Sequence, residues 1–275
     1  MEPQDRVNFA KRFIVRPGHP VHLSRCDPDD TGGYRDKSEA EAELARNVKR
    51  LAELQYRFYA ENRRALLVVI QGMDAAGKDG TIRHVMSGLN PQSCRVTSFK
   101  APSAEELAHD FLWRIHKAVP GRGEIGIFNR SHYEDVLIVR VRRLVPRSVW
   151  SKRYDQINDF ERMLTDNGVV IRKFFLHISK EEQRQRLQER LDDPRKNWKF
   201  NPDDIRERER WSDYKRAYEE ALSRCSTEKA PWFVIPANKK WFRNLAVSAI
   251  LVETLEALDP QFPKPMPGIS KIRIR

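Results

Sequence analysis

The chain has 275 residues, 40% of them hydrophobic, which suits one large domain with a sizeable core and argues against a disordered or low-complexity protein. Its 51 Lys and Arg against 39 Asp and Glu leave a net charge of +12, which favours a polyanionic partner: a nucleotide, a nucleic acid, an inorganic phosphate polymer or an acidic membrane surface. Three scattered cysteines without CxxC spacing argue against a disulfide framework and a cysteine metal site, "MEPQDRVNFAKRF" lacks a signal-peptide core, and no apolar run approaches the roughly 18 residues that span a bilayer, so a cytoplasmic protein without a membrane partner is expected.

Residues 1–37 are rich in Pro, Gly and Asp and show no sustained period, which predicts an extended arm laid over the body. Leu44, Val48, Leu51, Leu54 and Phe58 then recur at helical spacing, predicting an amphipathic helix over 38–63. It runs straight into "LLVVIQGMDAAGKDGT", an apolar strand followed by a glycine-rich turn. Four further short apolar runs read as buried strands: "RVTSF" (95–99), "EIGIFN" (124–129), "IRKFFLHIS" (171–179) and "WFVIP" (232–236). Helical spacing over 105–117, 149–164 and 242–258 alternates with them. The expected fold is α/β, a three-layer sandwich with a parallel five-stranded sheet in one domain over 38–260, its ligands at the carboxyl ends of the strands.

Residues 180–216 are dense in both signs of charge and interrupted by Pro194 and Pro202, which predicts two helices joined by a turn. Two readings stay open: a solvated hairpin laced with surface ion pairs, or a mobile lid bringing Arg and Lys over bound phosphates. The end of the chain, 261–275, is Pro-rich and basic and reads as a tail.

The spacing Gly72, four residues, Gly77, Lys78 is that of a P-loop, in which backbone amides turn inward around phosphate, the next helix contributes its dipole, and the Lys neutralises the transferred group. Gly72, Ala75, Ala76, Gly77, Lys78, Asp79 and Gly80 are the expected phosphate-binding residues. The pattern departs in two places: Asp79 stands where Ser or Thr follows the Lys, and Asp74 lies inside the loop. Asp is favoured in turns and in the first helical turn, which accounts for Asp79 as readily as a phosphate role does. A carboxylate inside a phosphate cradle repels its ligand unless a divalent cation lies between them, so Asp74 is expected to hold Mg²⁺, with Mn²⁺ as a substitute.

The other half of the site is expected from "GIFNRSHYEDVLIVRVRR", where Asn129, Arg130, Glu134 and Asp135 follow a strand directly. Arg130 suits a bidentate phosphate contact, and a carboxylate here suits metal binding or activation of an incoming phosphate; Glu134 and Asp135 also suit the opening of a helix. Arg140, Arg142, Arg143 and Arg147 continue the segment as a basic run, of which one or two could reach a polyanion. His84, His116, His132 and His177 lack ligand spacing and read as packed or hydrogen-bonded. The aromatic residues are scattered through apolar runs and form no stacking platform, so a nucleic-acid partner is not expected.

The segments "GMDAAGKDGTIRHVMSGLNPQ", "VTSFKAPSAEELAHDFLWRIHKAVPGRGEIGIFNRSHYEDVLIVRV" and "WFRNLAVSAILVETLEAL" closely resemble the polyphosphate kinase 2 family, over about residues 12–260. The resemblance implies a P-loop kinase-like fold with a helical lid, and Mg²⁺-dependent, reversible phosphate transfer between inorganic polyphosphate and nucleotides (AMP, ADP, GMP, GDP) by a homo-oligomer, a dimer or tetramer. It implies loop roles for Asp74 and Lys78 and a strand-end role for Arg130. Family members acting on diphosphates alone typically carry Asp before that Arg; Asn129 here shifts the metal role towards Asp135 or Glu134 and resembles members that accept monophosphates, some of which also extend diphosphates. Lid arginines such as Arg184 or Arg190 are expected on phosphate, and Lys100, Asn129, Arg130 and Glu134 on the nucleotide. The nearest rival, an ATP-dependent nucleoside monophosphate kinase, would use the same parts.

Overall fold

In the computed structural model, which describes residues 8–274, the run ALLVVIQG forms β1 (Ala65–Gly72) and is buried along its whole length. Residues 1–7 of the expected arm and Arg275 of the tail lie outside the described residues. A strand buried on both faces belongs inside a parallel sheet. With β2 (Cys94–Ser98), β3 (Ile125–Asn129), β4 (Val169–His177) and β5 (Trp232–Pro236) it builds a parallel five-stranded sheet in the order β2-β3-β1-β4-β5, so β1 is central.

The helices are, in chain order, α1 (Phe9–Phe13), α2 (Lys37–Glu61), α3 (Lys78–Val85), α4 (Ala104–Leu107), α5 (Trp113–His116), α6 (Ile138–Val141), α7 (Arg147–Trp150), α8 (Arg153–Asp166), α9 (Lys180–Asp192), α10 (Asp203–Glu209), α11 (Trp211–Cys225) and α12 (Lys240–Leu258). Successive residues of a strand point to opposite faces, and β4 shows what covers each. Arg172 donates to Thr254 Oγ1 of α12 at 3.0 Å, whereas Lys173 bonds Glu161 of α8 and the Cys225 carbonyl of α11. Helices α2 and α3 pack against α12 on one face and α11 packs against α8 on the other, which gives the expected three layers.

Four expectations need correction. The arm is not extended throughout, because Phe9 and Phe13 turn α1 onto Phe242 and the Glu253 carboxylate accepts the free N–H groups of Phe9 and Ala10 at 3.1 Å each. Beyond α1, Ile14 bridges Phe233 and the Val15 N–H donates to Trp232 O at 2.8 Å, so the arm covers the free edge of β5. The helix expected over 105–117 is split into α4 and α5, since the Asp110 carboxylate accepts the Leu112 N–H at 2.9 Å and turns the chain. The one expected over 149–164 is split into α7 and α8, a break that leaves the apolar spacing intact and is therefore invisible to it. The charged segment 180–216 is α9, a 3₁₀ turn (Asn197–Lys199), α10 and the start of α11 rather than two helices; Pro194 and Pro202 fall in its breaks, and Ala217, Tyr218, Ala221 and Leu222 anchor α11 in the core.

Candidate functional site

Ile70 of β1 pairs with Asn129 of β3, and the Arg130 N–H donates to Ile70 O at 3.1 Å, so the loops that leave these two strands start side by side. The first is the P-loop. It turns through left-handed backbone at Ala75 (φ 62°) and Gly77 (φ 100°), and a Cβ on Gly77 would lie 1.9 Å from Arg243 Nη1. Lys78 opens α3 and its Nζ donates to Gly72 O at 2.8 Å and Met73 O at 3.3 Å. Desolvation, with Arg130 adding, holds the Lys78 ammonium below the usual lysine range, against the pull of Asp74, Glu134 and Asp79.

The second loop supplies Arg130, itself left-handed at φ 61°. Its Nη2 donates to Asp74 Oδ1 at 3.2 Å. Desolvation disfavours the guanidinium charge, but Glu134 and Asp74 outweigh it and raise the Arg130 pKa. A second link ties the same loops together, Asn129 Nδ2 to Asp79 Oδ1 at 2.7 Å. Asp79 thus sits in the first turn of α3 and also fixes the residue beside Arg130.

Two arginines that sequence reasoning missed hold the P-loop from behind. Arg186 of α9 is buried and donates to the carbonyls of Ala75 (2.9 Å), Ala76 (3.0 Å), Ala237 (2.6 Å) and Asn238 (2.9 Å). Arg243 of α12 donates to Ala76 O at 3.2 Å, and desolvation, with Arg186 close by, lowers its pKa to about 9. Gln183 adds a bond to Asp74 O at 2.9 Å, so α9 and α12 together fix the backbone of the loop.

These parts line a cleft of about 700 Å³ at the carboxyl ends of the strands. Lys78, Lys100, Arg130, Arg186, Arg190, Lys196, Lys199 and Lys240 line it against Asp74, Asp79, Glu189 and Asp204, so it is net basic. Asp74, Arg130 and Asp204 also line a smaller chamber of about 170 Å³, together with Glu134, Asp203, Glu207, Tyr214 and Tyr218. Glu134 has no ion-pair partner among the described residues. Asp74 and Glu134 therefore offer two carboxylates beside Arg130. Among the described residues no three His, Cys, Asp or Glu side chains gather as a metal cage, but Mg²⁺ at a phosphate-transfer site is held by one or two carboxylates plus substrate phosphates, and this pair fits that pattern.

The expected residues are not all brought together. Arg190 lines the cleft and pairs with Asp204 at 3.0 Å. Arg184 lines neither chamber; it is exposed and paired with Glu181 at 2.6 Å. Asp135 also lines neither chamber and pairs with Arg153 at 2.8 Å. His132 is packed as expected, buried against Glu161. Cys26, Cys94 and Cys225 are unpaired, and no helix of the described residues is long and apolar enough to cross a membrane.

Residues 34–263 match the family described as Polyphosphate kinase 2. An AMP/ADP-polyphosphate phosphotransferase of Meiothermus ruber is 57% identical over 265 residues, 96% of this chain and 99% of that one. An ADP-polyphosphate phosphotransferase of Rhodopseudomonas palustris is 48% identical over 95% of each chain. Among solved structures, Polyphosphate Kinase 2 from Arthrobacter aurescens TC1 superposes with a TM-score of 0.90 at 46% identity, covering 94% of this chain and 93% of that one.

Proposed function

The chain belongs to the polyphosphate kinase 2 family, and we propose that it transfers the terminal phosphoryl group of inorganic polyphosphate to nucleoside mono- and diphosphates, AMP to ADP and ADP to ATP, reversibly and with Mg²⁺. The observation that carries this reading is the Asp74–Arg130 pair at 3.2 Å inside a net basic P-loop cleft. A loop built to surround phosphate keeps a carboxylate at its mouth, which is useful only if a cation comes with the phosphates. When bound, Mg²⁺ would be held by Asp74 with Glu134, and it would offset phosphate charge as the bond to the leaving phosphate lengthens.

The chain's own residues supply the rest. Phosphoryl transfer passes through a loose transition state, so positioning and charge neutralisation do most of the work. Backbone amides of the P-loop and the first turn of α3 cradle one phosphate, and Lys78 and Arg130 neutralise the transferring group from two sides. Arg190, Lys196 and Lys199 lower further positive charge from the lid, Lys100 and Asn129 border the nucleotide side, and Arg186 and Arg243 keep the loop in shape. Guanine nucleotides enter the same proposal, as does assembly into a dimer or tetramer.

Incubating the protein with AMP, Mg²⁺ and polyphosphate in the absence of ATP tests the reading. ADP and then ATP should accumulate, and the same assay with GMP and GDP reads base preference. Turnover of AMP only when ATP is the donor would replace it with an ATP-dependent nucleoside monophosphate kinase.

A further inference from the structure

The basic run Arg140, Arg142, Arg143 and Arg147 takes no part in the cleft, yet it folds into a second concavity. Together with Arg210 and Arg216 of the α10–α11 region it surrounds a cavity of about 890 Å³ whose lining holds a single carboxylate, Asp213. Three of the six guanidiniums have acidic partners: Arg140 with Glu220, Arg142 with Glu207, Arg216 with Asp213. Arg210 reaches only the Val141 carbonyl, at 3.2 Å, and Arg143 and Arg147 have no carboxylate within 4.0 Å among the described residues.

Gathering like charges costs folding free energy, and Arg143 adds a local cost. It follows α6 in left-handed backbone (φ 55°), with the Leu144 N–H returning to Val139 O at 2.9 Å, a helix ending at which glycine is the usual residue. A long charged side chain held where glycine fits better points to a use for the charge. The position of the cavity says which anion. Arg142 lines both it and the chamber that shares Asp74 and Arg130 with the cleft. Four of the five carboxylates of that intervening chamber have an arginine partner, Asp74 with Arg130, Asp204 with Arg190, Glu207 with Arg142 and Asp203 with Arg206, and the fifth, Glu134, lies beside Arg130 in the same lining. Trp150, the aromatic residue in the lining, is covered by the Arg140 guanidinium at 4.6 Å from its ring centre, which leaves a surface for phosphates rather than for stacked bases.

We propose that this cavity is a distal anchor for inorganic polyphosphate, holding the non-reacting stretch of the chain whose end reacts in the cleft; it rests on polyphosphate being the donor. The test compares wild type with Arg143→Gly/Arg147→Gln. Both residues are exposed, and glycine relieves the left-handed backbone, so a folding defect is not built into the variant. With AMP and Mg²⁺, KM for long-chain polyphosphate should rise on the order of tenfold, while kcat, and KM for short-chain polyphosphate, stay as in wild type. Direct binding of long-chain polyphosphate without nucleotide should weaken by a similar factor and become less steeply salt-dependent. Unchanged long-chain KM and binding, or an equal loss for short and long chains, would overturn the anchor. Binding of an RNA oligomer lost in the variant with polyphosphate unaffected would overturn it in favour of nucleic acid. A wild type that does not turn over polyphosphate at all defeats the proposed function instead, and the direct binding comparison still decides the cavity.

Discussion

Asp74 and Arg130 are 56 residues apart in the chain and meet at 3.2 Å because β1 and β3 are hydrogen-bonded neighbours whose loops begin at the same level. Arg130 takes Asp74 Oδ1, and Asp74 lines the cleft. Asp74→Asn keeps an acceptor for Arg130 and removes the charge that would hold Mg²⁺. Turnover should fall by about 10²-fold or more at saturating Mg²⁺ while the melting temperature stays near wild type. Asp79→Asn, which alters a helix-start acid at the cleft and its bond to Asn129, should cost far less. Comparable losses for the two variants would remove the distinction drawn between these acids.

Arg186 is a sharper test of how the P-loop is held. Its guanidinium serves four backbone carbonyls at once and ion-pairs with Glu182 at 2.7 Å. A lysine carries the charge but lacks the planar fork. Arg186→Lys should therefore lose about 2–3 kcal/mol of stability, read by urea unfolding, together with most turnover. An Arg186→Lys protein with wild-type stability and kcat would show that the loop holds its own shape.

The difference between Arg184 and Arg186 also shows where sequence reasoning stops. All five strands were legible within one or two residues, because short apolar runs bounded by turn residues have few alternatives in an α/β chain, and the P-loop was legible because its chemistry lies in backbone spacing. Choosing among the arginines of 180–216 needs helical phase. Residues two apart on a helix point in nearly opposite directions, so Arg186 faces the loop while Arg184 faces solvent with Glu181. Arg243 was hidden differently: it stands inside "WFRNLAVSAILVETLEAL", which reads as a core helix, and nothing local reveals that the P-loop carbonyl of Ala76 lies opposite.

Asp135 gives a prediction in which stability and activity separate. Burial pushes its carboxyl up to about 6, against the pull of Arg153 and Arg114 and with Glu134 adding. Between the unfolded value of 3.8 and about 6 the folded chain binds more protons than the unfolded one, so this group's contribution to stability falls as pH rises through that window. Asp135→Asn abolishes the dependence, and Arg153 keeps its bond to the Asp135 carbonyl at 3.1 Å. The variant should gain roughly 2 kcal/mol on wild type between pH ~4 and ~6 and retain most of its turnover. A loss of turnover as deep as that of Asp74→Asn would return the metal role to Asp135.

The last prediction concerns the sheet beneath the site. Lys173 of β4 and Glu161 of α8 form an ion pair sealed from solvent, with Tyr133 donating to the same carboxylate at 2.9 Å and His132 within 3.2 Å. Burial raises the Glu161 pKa, but Lys173 and His132 more than compensate and leave it lowered. Its stabilisation is therefore complete above the ordinary carboxylate range and lost as pH falls through the lowered folded value. Desolvation also lowers the His132 pKa, so below the ordinary histidine value of 6.5 the unfolded chain takes a proton that the folded one refuses. Both effects weaken the fold in acid. Lys173→Met strands the Glu161 charge in the core and should cost about 3–5 kcal/mol at neutral pH, a cost that shrinks in acid as Glu161 takes up its proton. Adding Glu161→Gln keeps an acceptor for Tyr133 and should recover part of the loss. Urea unfolding of the two single variants and the double reads the coupling directly, and strictly additive losses would mean that the pair does not stabilise the fold as a unit.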